Sequence, residues 1–247
     1  PEIGHSLGLG HMGPYNGTAD FATQAEFGND SLQLTIMSYF SNSQNPTVSA
    51  SDAEVLTAQM VDIIAIQNLY GAASGGVTAG NTTYGAGGSL GNYLDYLFDA
   101  MLTGTTNSGY AGDDVALTIF DESGTDTLDV SVDTTNQIIS LLGGTFSSIA
   151  GLSENLGIAV GTVIENANTG SGNDTIYGDT DPNATTPDPV SITSSNFATT
   201  SNGYTVVAQN IVSGTLTSAT VANVTDGGGW FGASGTISDS DSGVQQQ

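Results

Sequence analysis

The sequence predicts an α+β chain, and three observations lead there. Apolar residues at helical spacing mark a helix ending near residue 71. Beyond residue 115 the chain breaks into short β-like runs. Between those runs glycine and aspartate recur at the spacing that turns of a parallel roll require. Three parts are expected: 1–75, 76–181 and a β-rich module at 182–247.

The first eleven residues read PEIGHSLGLGH. They match the zinc-protease pattern H-E-x-x-H-x-x-G-x-x-H except that Pro1 stands where the first histidine would be. On a helix, positions i and i+4 share a face, so residue 1 and His5 point at one ion with Glu2 beside them. Gly8 permits the left-handed turn that ends the helix, and His11 returns as a further ligand. In such a centre the metal lowers the pKa of a bound water and Glu2 takes its proton as general base. Proline cannot ligate zinc, but a first helical turn accepts it. Both histidines of the chain fall within this pattern.

Residues 34–40 read LTIMSYF. Placed after the histidine pattern, Met37-Ser38-Tyr39 resembles the methionine turn of the metzincins, and of the serralysin branch in particular. Residues 51–71, SDAEVLTAQMVDIIAIQNLYG, show Ser51 and Glu54 as a capping-box pair, apolar residues at helical spacing and Gly71 as a stop. We read an amphipathic helix, and its DIIAIQNLYG tail is similar to the helix that closes the serralysin protease domain. The resemblance covers roughly residues 1–180. It implies that His5 and His11 are zinc ligands, that Glu2 is the general base and that Tyr39 is a further ligand or oxyanion stabiliser. Met37 forms a hydrophobic base beneath the site.

The glycine-rich stretch 72–92 reads as a linker or crossover. YLDYLFDAML (93–102) is a helix or a strand. The runs ALTIF (116–120), TLDVSV (127–132), QIISLL (137–142) and GIAVGTVIENA (157–167) follow as β segments. Of the 25 carboxylates, 12 lie within 113–181. Residues 169–177, TGSGNDTIY, match the calcium-binding nonapeptide G-G-x-G-x-D-x-U-x, with Thr169 replacing the first glycine. Gly170 and Gly172 allow a tight turn with inward carbonyls, and Asp174 adds a charged oxygen. Asp121, Gly124 and Asp126 form an upstream half-site of the same spacing. Glu165 resembles a serralysin calcium ligand leading into the roll. Past the proline-rich DPNATTPDPVS, residues 190–237 alternate in β fashion, and Trp230 and Phe231 serve either as core or as a ligand platform.

The chain has no lysine, no arginine and a formal net charge of −25. At ordinary usage about 25–30 basic residues are expected. Phosphate recognition by basic side chains is excluded, nucleic acid is not an expected partner, and an anionic membrane surface repels the chain. Only 10% of residues are charged and 38% are hydrophobic, which favours a folded chain with bound cations over a disordered one. With no cysteine, metal replaces disulfides as the stabilising element. No apolar stretch reaches the roughly 18–20 residues that span a bilayer. The chain starts inside a motif helix without methionine and ends in SDSDSGVQQQ, so both natural termini are expected to lie beyond it.

The resemblance implies a secreted, extracellular zinc metalloendopeptidase, monomeric, exported by a type I system and acting on protein substrates with calcium in its roll. The alternative is a catalytically inactive calcium-binding β scaffold or binding module that keeps a vestigial protease half. Pro1 divides the two.

Overall fold

A computed structural model describes residues 1–106, 114–172 and 174–177 in full, and beyond them only the backbone of six short strands. The first seventy residues carry little regular structure: α1 (Glu2–Ser6), α2 (Phe21–Gln24), a two-residue strand β1 (Glu54–Val55) and α3 (Met60–Tyr70). The α3 helix starts eight residues later than Ser51 suggested, with Gln59 as its cap. Glu54 and Val55 are drawn out of it because they pair in parallel with Val115 and Ala116 of β3 (Val115–Ile119). The capping box belongs instead to Gln59 and Asp62. Nor is α3 amphipathic: its only buried residues are Met60 and Asp62, while Leu69 and Tyr70 are exposed. Gly71 does end it, with φ +91 and its N–H on the Gln67 carbonyl.

The stretch read as a linker contains β2 (Thr83–Gly85), and 93–102 is helical, as α4 (Tyr93–Thr103). Asn92 caps α4 by accepting the Leu94 N–H, and Gly104 closes it in the left-handed conformation. Leu97, Phe98 and Ala100 form its buried face. Next come β4 (Thr127–Val130), β5 (Ile138–Ser140), β6 (Phe146–Ser147), β7 (Leu156–Ile158), β8 (Asn166–Thr169) and β9 (Thr175–Tyr177). The run 157–167 is therefore two strands parted by a turn. The backbone is also described for β10 (Ser191–Ser194), β11 (Thr205–Val207), β12 (Thr215–Ala219), β13 (Val224–Asp226), β14 (Gly229–Phe231) and β15 (Gly235–Ser238). The side chains of Trp230 and Phe231 lie outside the described set.

The sheets are largely parallel. One runs β10-β8-β4-β2, a second β11-β9-β5 and a third β1-β3-β7-β6, with β6 antiparallel to β7. Short turns lead from β4 to β5 and from β8 to β9, so successive coils stack with strands in register, as in Thr83↔Thr127↔Asn166 and Ile138↔Thr175. The strands β10 and β11 extend these sheets across the proline-rich segment. The core is built from inward residues of the stacked strands, Tyr84, Leu128, Val130, Ala167, Ile139 and Ile176, with Leu117, Ile119, Leu156, Ile158 and Phe98 of α4. All five residues of β3 are buried, the continuous apolar run of a strand covered on both faces.

The two halves join around β3. Thr118 donates its N–H to Thr57 Oγ1 and its hydroxyl to Gln59 Oε1, so the α3 cap is tied to the sheet. Gln33 reaches Glu154, and Ser51 pairs with Ser153.

Coil stacking is close enough to exclude a side chain at Gly85. It has φ +101, and a Cβ there would run into the Asp129 carbonyl of the next rung. Gly85→Ala is expected to lower unfolding stability by about 2 kcal/mol or more in a urea titration. Gly28→Ala, with open space around it, serves as the control.

Candidate metal centres

The histidine motif forms the short helix α1. Pro1 occupies its N-cap and the Pro1 carbonyl accepts the His5 N–H at 2.9 Å. Gly8 takes φ +94 and turns the chain back. His5 and His11 then face each other edge-on, ring centroids 4.6 Å apart, and the Tyr39 ring lies 4.5 Å from His11. His5 Nδ1 sits 3.0 Å from the Leu9 carbonyl and His11 Nδ1 2.7 Å from the Met37 carbonyl. A carbonyl only accepts, so both Nδ1 atoms carry hydrogen and both Nε2 lone pairs remain available. This arrangement fixes tautomer and ring plane in metal-binding histidines. Glu2 is exposed in the first turn of α1.

Met37 is 1% exposed, and its Sδ fills the space where a side chain at Gly4 would project. The methionine turn is held by relays. Met37 N–H donates to Thr35 Oγ1 at 3.0 Å, and that hydroxyl donates to Asp62 Oδ1 at 2.6 Å. Asp62 Oδ2 also accepts the N–H groups of Ile36 and Gln59. Asp62 is 2% exposed, and these donors stand in for the cation that the composition denies it. Sequence reading missed Asp62. Its signal was the Q-x-x-D capping spacing at 59–62.

Among the described residues, no group of three or more His, Cys, Asp or Glu side chains is placed to hold one metal ion. Two prepared imidazoles are present, and Pro1 supplies no third. The front centre thus fits zinc in part: donor type and tautomer fit, ligand number does not.

The sequence-predicted calcium residues come together as two copies of one arrangement. Asp126 Oδ1 accepts the N–H of Thr82, its in-register neighbour one rung away, at 2.7 Å. Asp174 Oδ1 accepts the N–H of Gln137, likewise in register, at 3.0 Å. In both, the glycine two residues earlier packs on a carbonyl of the adjacent turn: a Cβ on Gly124 would lie 2.6 Å from the Gly80 oxygen, and one on Gly172 would strike the Thr135 oxygen. Gly170 similarly abuts the Asp133 carbonyl. Glu165 Oε2 accepts the Asp126 N–H at 2.6 Å, and Tyr84 donates its hydroxyl to Asp121 Oδ2 at 2.6 Å.

These carboxylates are left half-satisfied. Asp121 Oδ1, Asp126 Oδ2 and Asp174 Oδ2 are buried without a hydrogen-bond partner. Burial raises the pKa of all three. For Asp126 burial outweighs the Thr82 N–H that lowers it, the Asp121 charge adds to the rise, and the pKa stands at about 6. Orphaned carboxylate oxygens beside turns rich in backbone carbonyls fit a hard, oxygen-seeking cation. Thr82 and Gln137 were not singled out from the sequence, yet a signal existed. Residues 80–84 (GNTTY), 124–128 (GTDTL) and 172–176 (GNDTI) are one repeat, with an inward apolar residue at 0%, 0% and 3% exposure.

A family model described as Peptidase M10 serralysin C terminal matches residues 98–231, more than half of the chain. The chain belongs to the serralysin family. It is 40% identical over 182 residues to metallopeptidase AprA of Pseudomonas marginalis, covering 72% of this chain and 36% of AprA. Serralysin C of Dickeya chrysanthemi is 40% identical over 176 residues, 70% of this chain and 34% of that protein. Serralysin of Proteus mirabilis is 36% identical over 179 residues, 72% of this chain and 34% of its own length. The chain spans about a third of the length of the curated relatives it matches. Serralysin membership accords with the mixed helix and sheet content. No described helix is long and apolar enough to cross a membrane.

Asp62→Ala is expected to cost at least about 3 kcal/mol in urea unfolding, because it strands the buried Thr35 hydroxyl and two N–H groups. The buried carboxylates of the glycine turns set a pH dependence. A carboxyl whose folded pKa lies above its unfolded value of about 3.9 favours the fold below that value and loses this contribution as pH rises through the folded one. For Asp126 the window is therefore from roughly 4 to 6. Chelated protein is expected to melt at a higher temperature at pH 4.5 than at pH 7.5, judged from the circular-dichroism signal of the sheets.

Proposed function

We propose that this chain is the C-terminal portion of a secreted zinc-dependent metalloendopeptidase that hydrolyses internal peptide bonds of extracellular proteins and is stabilised by calcium. The observation that carries this reading is the pair of imidazoles with both Nδ1 hydrogens on backbone carbonyls, edge-on beside Tyr39. Names of the relatives, metallopeptidase and serralysin, support the reaction class.

His5 and His11 would hold zinc through Nε2. When bound, the ion polarises the scissile carbonyl and acidifies water. Glu2 would accept the water proton and return it to the leaving amine. The Tyr39 hydroxyl would donate to the oxygen that gains charge in the tetrahedral intermediate. Met37 underlies the site, and Asp62 holds the turn that carries it.

In the roll, Asp121, Gly124, Asp126 and Glu165 would bind one calcium region and Gly170, Gly172 and Asp174 another. Thr82 and Gln137 fix the carboxylates from the neighbouring rung. The orphaned oxygens of Asp121, Asp126 and Asp174 support this, because a cation would satisfy them in a chain without lysine or arginine. Export by a type I system, a monomeric state and the three-part division at 75 and 181 belong to the same proposal.

A second reading has its own observation. Pro1 withholds the third imidazole, which favours an inactive calcium-stabilised scaffold. One experiment separates them: zinc content and casein cleavage for the chain, for its Pro1→His form and for each extended upstream. Stoichiometric zinc and chelator-sensitive cleavage in the extended, histidine-bearing form supports the peptidase. Absence of both in every form leaves the scaffold. Calcium titration of the chelated chain at pH 7.5 is expected to raise its melting temperature, and Asp126→Asn with Asp174→Asn to abolish most of the rise. A calcium-insensitive melt in the unsubstituted chain would refute the roll assignment.

A further inference from the structure

Asp30 stands outside every role described so far. It is fully buried at 0% exposure, in a chain with no lysine or arginine to neutralise it. Three hydroxyl contacts converge on its carboxylate: Tyr15 donates at 2.9 Å to Oδ2 and lies 3.2 Å from Oδ1, and Ser38 donates to Oδ1 at 2.6 Å. The Asp30 backbone is pinned too, its carbonyl accepting from Asn45 Nδ2 at 3.0 Å. What the two hydroxyl donors belong to is the informative part. Tyr15 sits four residues after His11, and Ser38 lies between Met37 and Tyr39.

The Tyr15 ring is packed among the groups of the front centre. Its centroid is 5.5 Å from that of His11, 4.9 Å from Tyr39 and 5.2 Å from Phe40. Ser38 accepts the Phe40 N–H at 3.0 Å while donating to Asp30, so the backbone carrying Tyr39 is anchored on both sides of that residue by one carboxylate. Asp62 holds the preceding residues 35–37 through an equivalent hydroxyl relay. The turn is clamped between two buried carboxylates, and only the Asp30 clamp also reaches the histidine loop.

We propose that Asp30 is a positioning residue for the front metal centre, fixing the rings of His11 and Tyr39 relative to each other through the hydroxyls of Tyr15 and Ser38. The inference rests on the metallopeptidase reading for its purpose and on the contacts above for its geometry. It makes Tyr15 a hydroxyl donor that links the histidine loop to the Asp30 carboxylate. A buried aspartate serving only to fill the core would have no reason to gather its donors from the two segments that present His11 and Tyr39.

The chain has only two histidines and nine tyrosines, so a His5→Gln and a Tyr39→Phe variant assign the Hε1 and Tyr39 ring signals in a proton NMR spectrum. Asp30→Asn keeps the shape and removes the charge. Tyr15→Phe keeps the ring and removes the donor, and it carries the same readout should the Asp30 variant fail to fold. Ser38→Thr keeps a hydroxyl and is the rescue control. In the metal-free chain both Asp30→Asn and Tyr15→Phe are expected to shift the His11 and Tyr39 ring signals, with His5 unmoved, and Ser38→Thr to leave all three in place. With zinc ion as the probe, the two disruptive variants are expected to bind roughly 10-fold more weakly than the unsubstituted chain. Variants that melt at lower temperature with His11 and Tyr39 signals unmoved and zinc affinity unchanged would overturn the proposal and make Asp30 a core residue. If zinc moves neither imidazole signal, in the chain or in its Pro1→His form, the metallopeptidase reading fails, and the metal-free ring signals still decide the role of Asp30.

Discussion

A buried carboxylate normally finds a lysine or arginine. This sequence has neither, so each buried aspartate must be met by N–H and O–H donors, stay protonated, or wait for a cation from solution. That restriction organises both halves of the molecule. In the first seventy residues Asp30 gathers hydroxyl donors and Asp62 a hydroxyl and two amides, both their carboxylate oxygens are engaged, and together they clamp the turn at residues 35–40, with Asp30 also reaching the histidine loop. Among the stacked coils, Asp133 is closed in the same way by the Thr135 and Ala150 N–H groups. Asp121, Asp126 and Asp174 each keep one oxygen unpaired. A single electrostatic rule therefore sorts the buried acids into braces and open positions, and the open ones are those at the glycine-spaced turns.

The front centre depends on the same economy of donors. Its imidazoles are oriented by backbone carbonyls of residues 9 and 37, so ring geometry follows from the path of the chain. That path is set by Gly8 at positive φ, by Gly4 packed on Met37 and by the two relays that end on Asp62 and Asp30. What the imidazoles lack is a third nitrogen at residue 1.

Local rules made part of this legible. Gly8 and Gly71 encode their turns in residues close along the chain, and both take the positive φ that the sequence implied. Features made by distant partners were not legible in this way. Glu54 and Val55 read as a helical first turn until β3, sixty residues on, claims them as a strand. Thr83–Gly85 looks like linker because its strand character comes from pairing with Thr127–Asp129. Asp30 is an unremarkable N-D-S turn in the sequence, and only folding delivers Tyr15 and Ser38 to it. The 80–84 repeat is a different case: it was readable, but Thr82 stands where its relatives carry aspartate, and a search keyed on acidity passes over it.

The close stacking of the glycine turns restricts how the chain can change length. One residue inserted in a turn would move its aspartate off the amide of the rung before and reverse the inward and outward faces of the strand that follows. A whole coil added or removed would leave each surviving contact between neighbouring coils intact. The stack is thus quantised: its permitted sizes differ by complete coils.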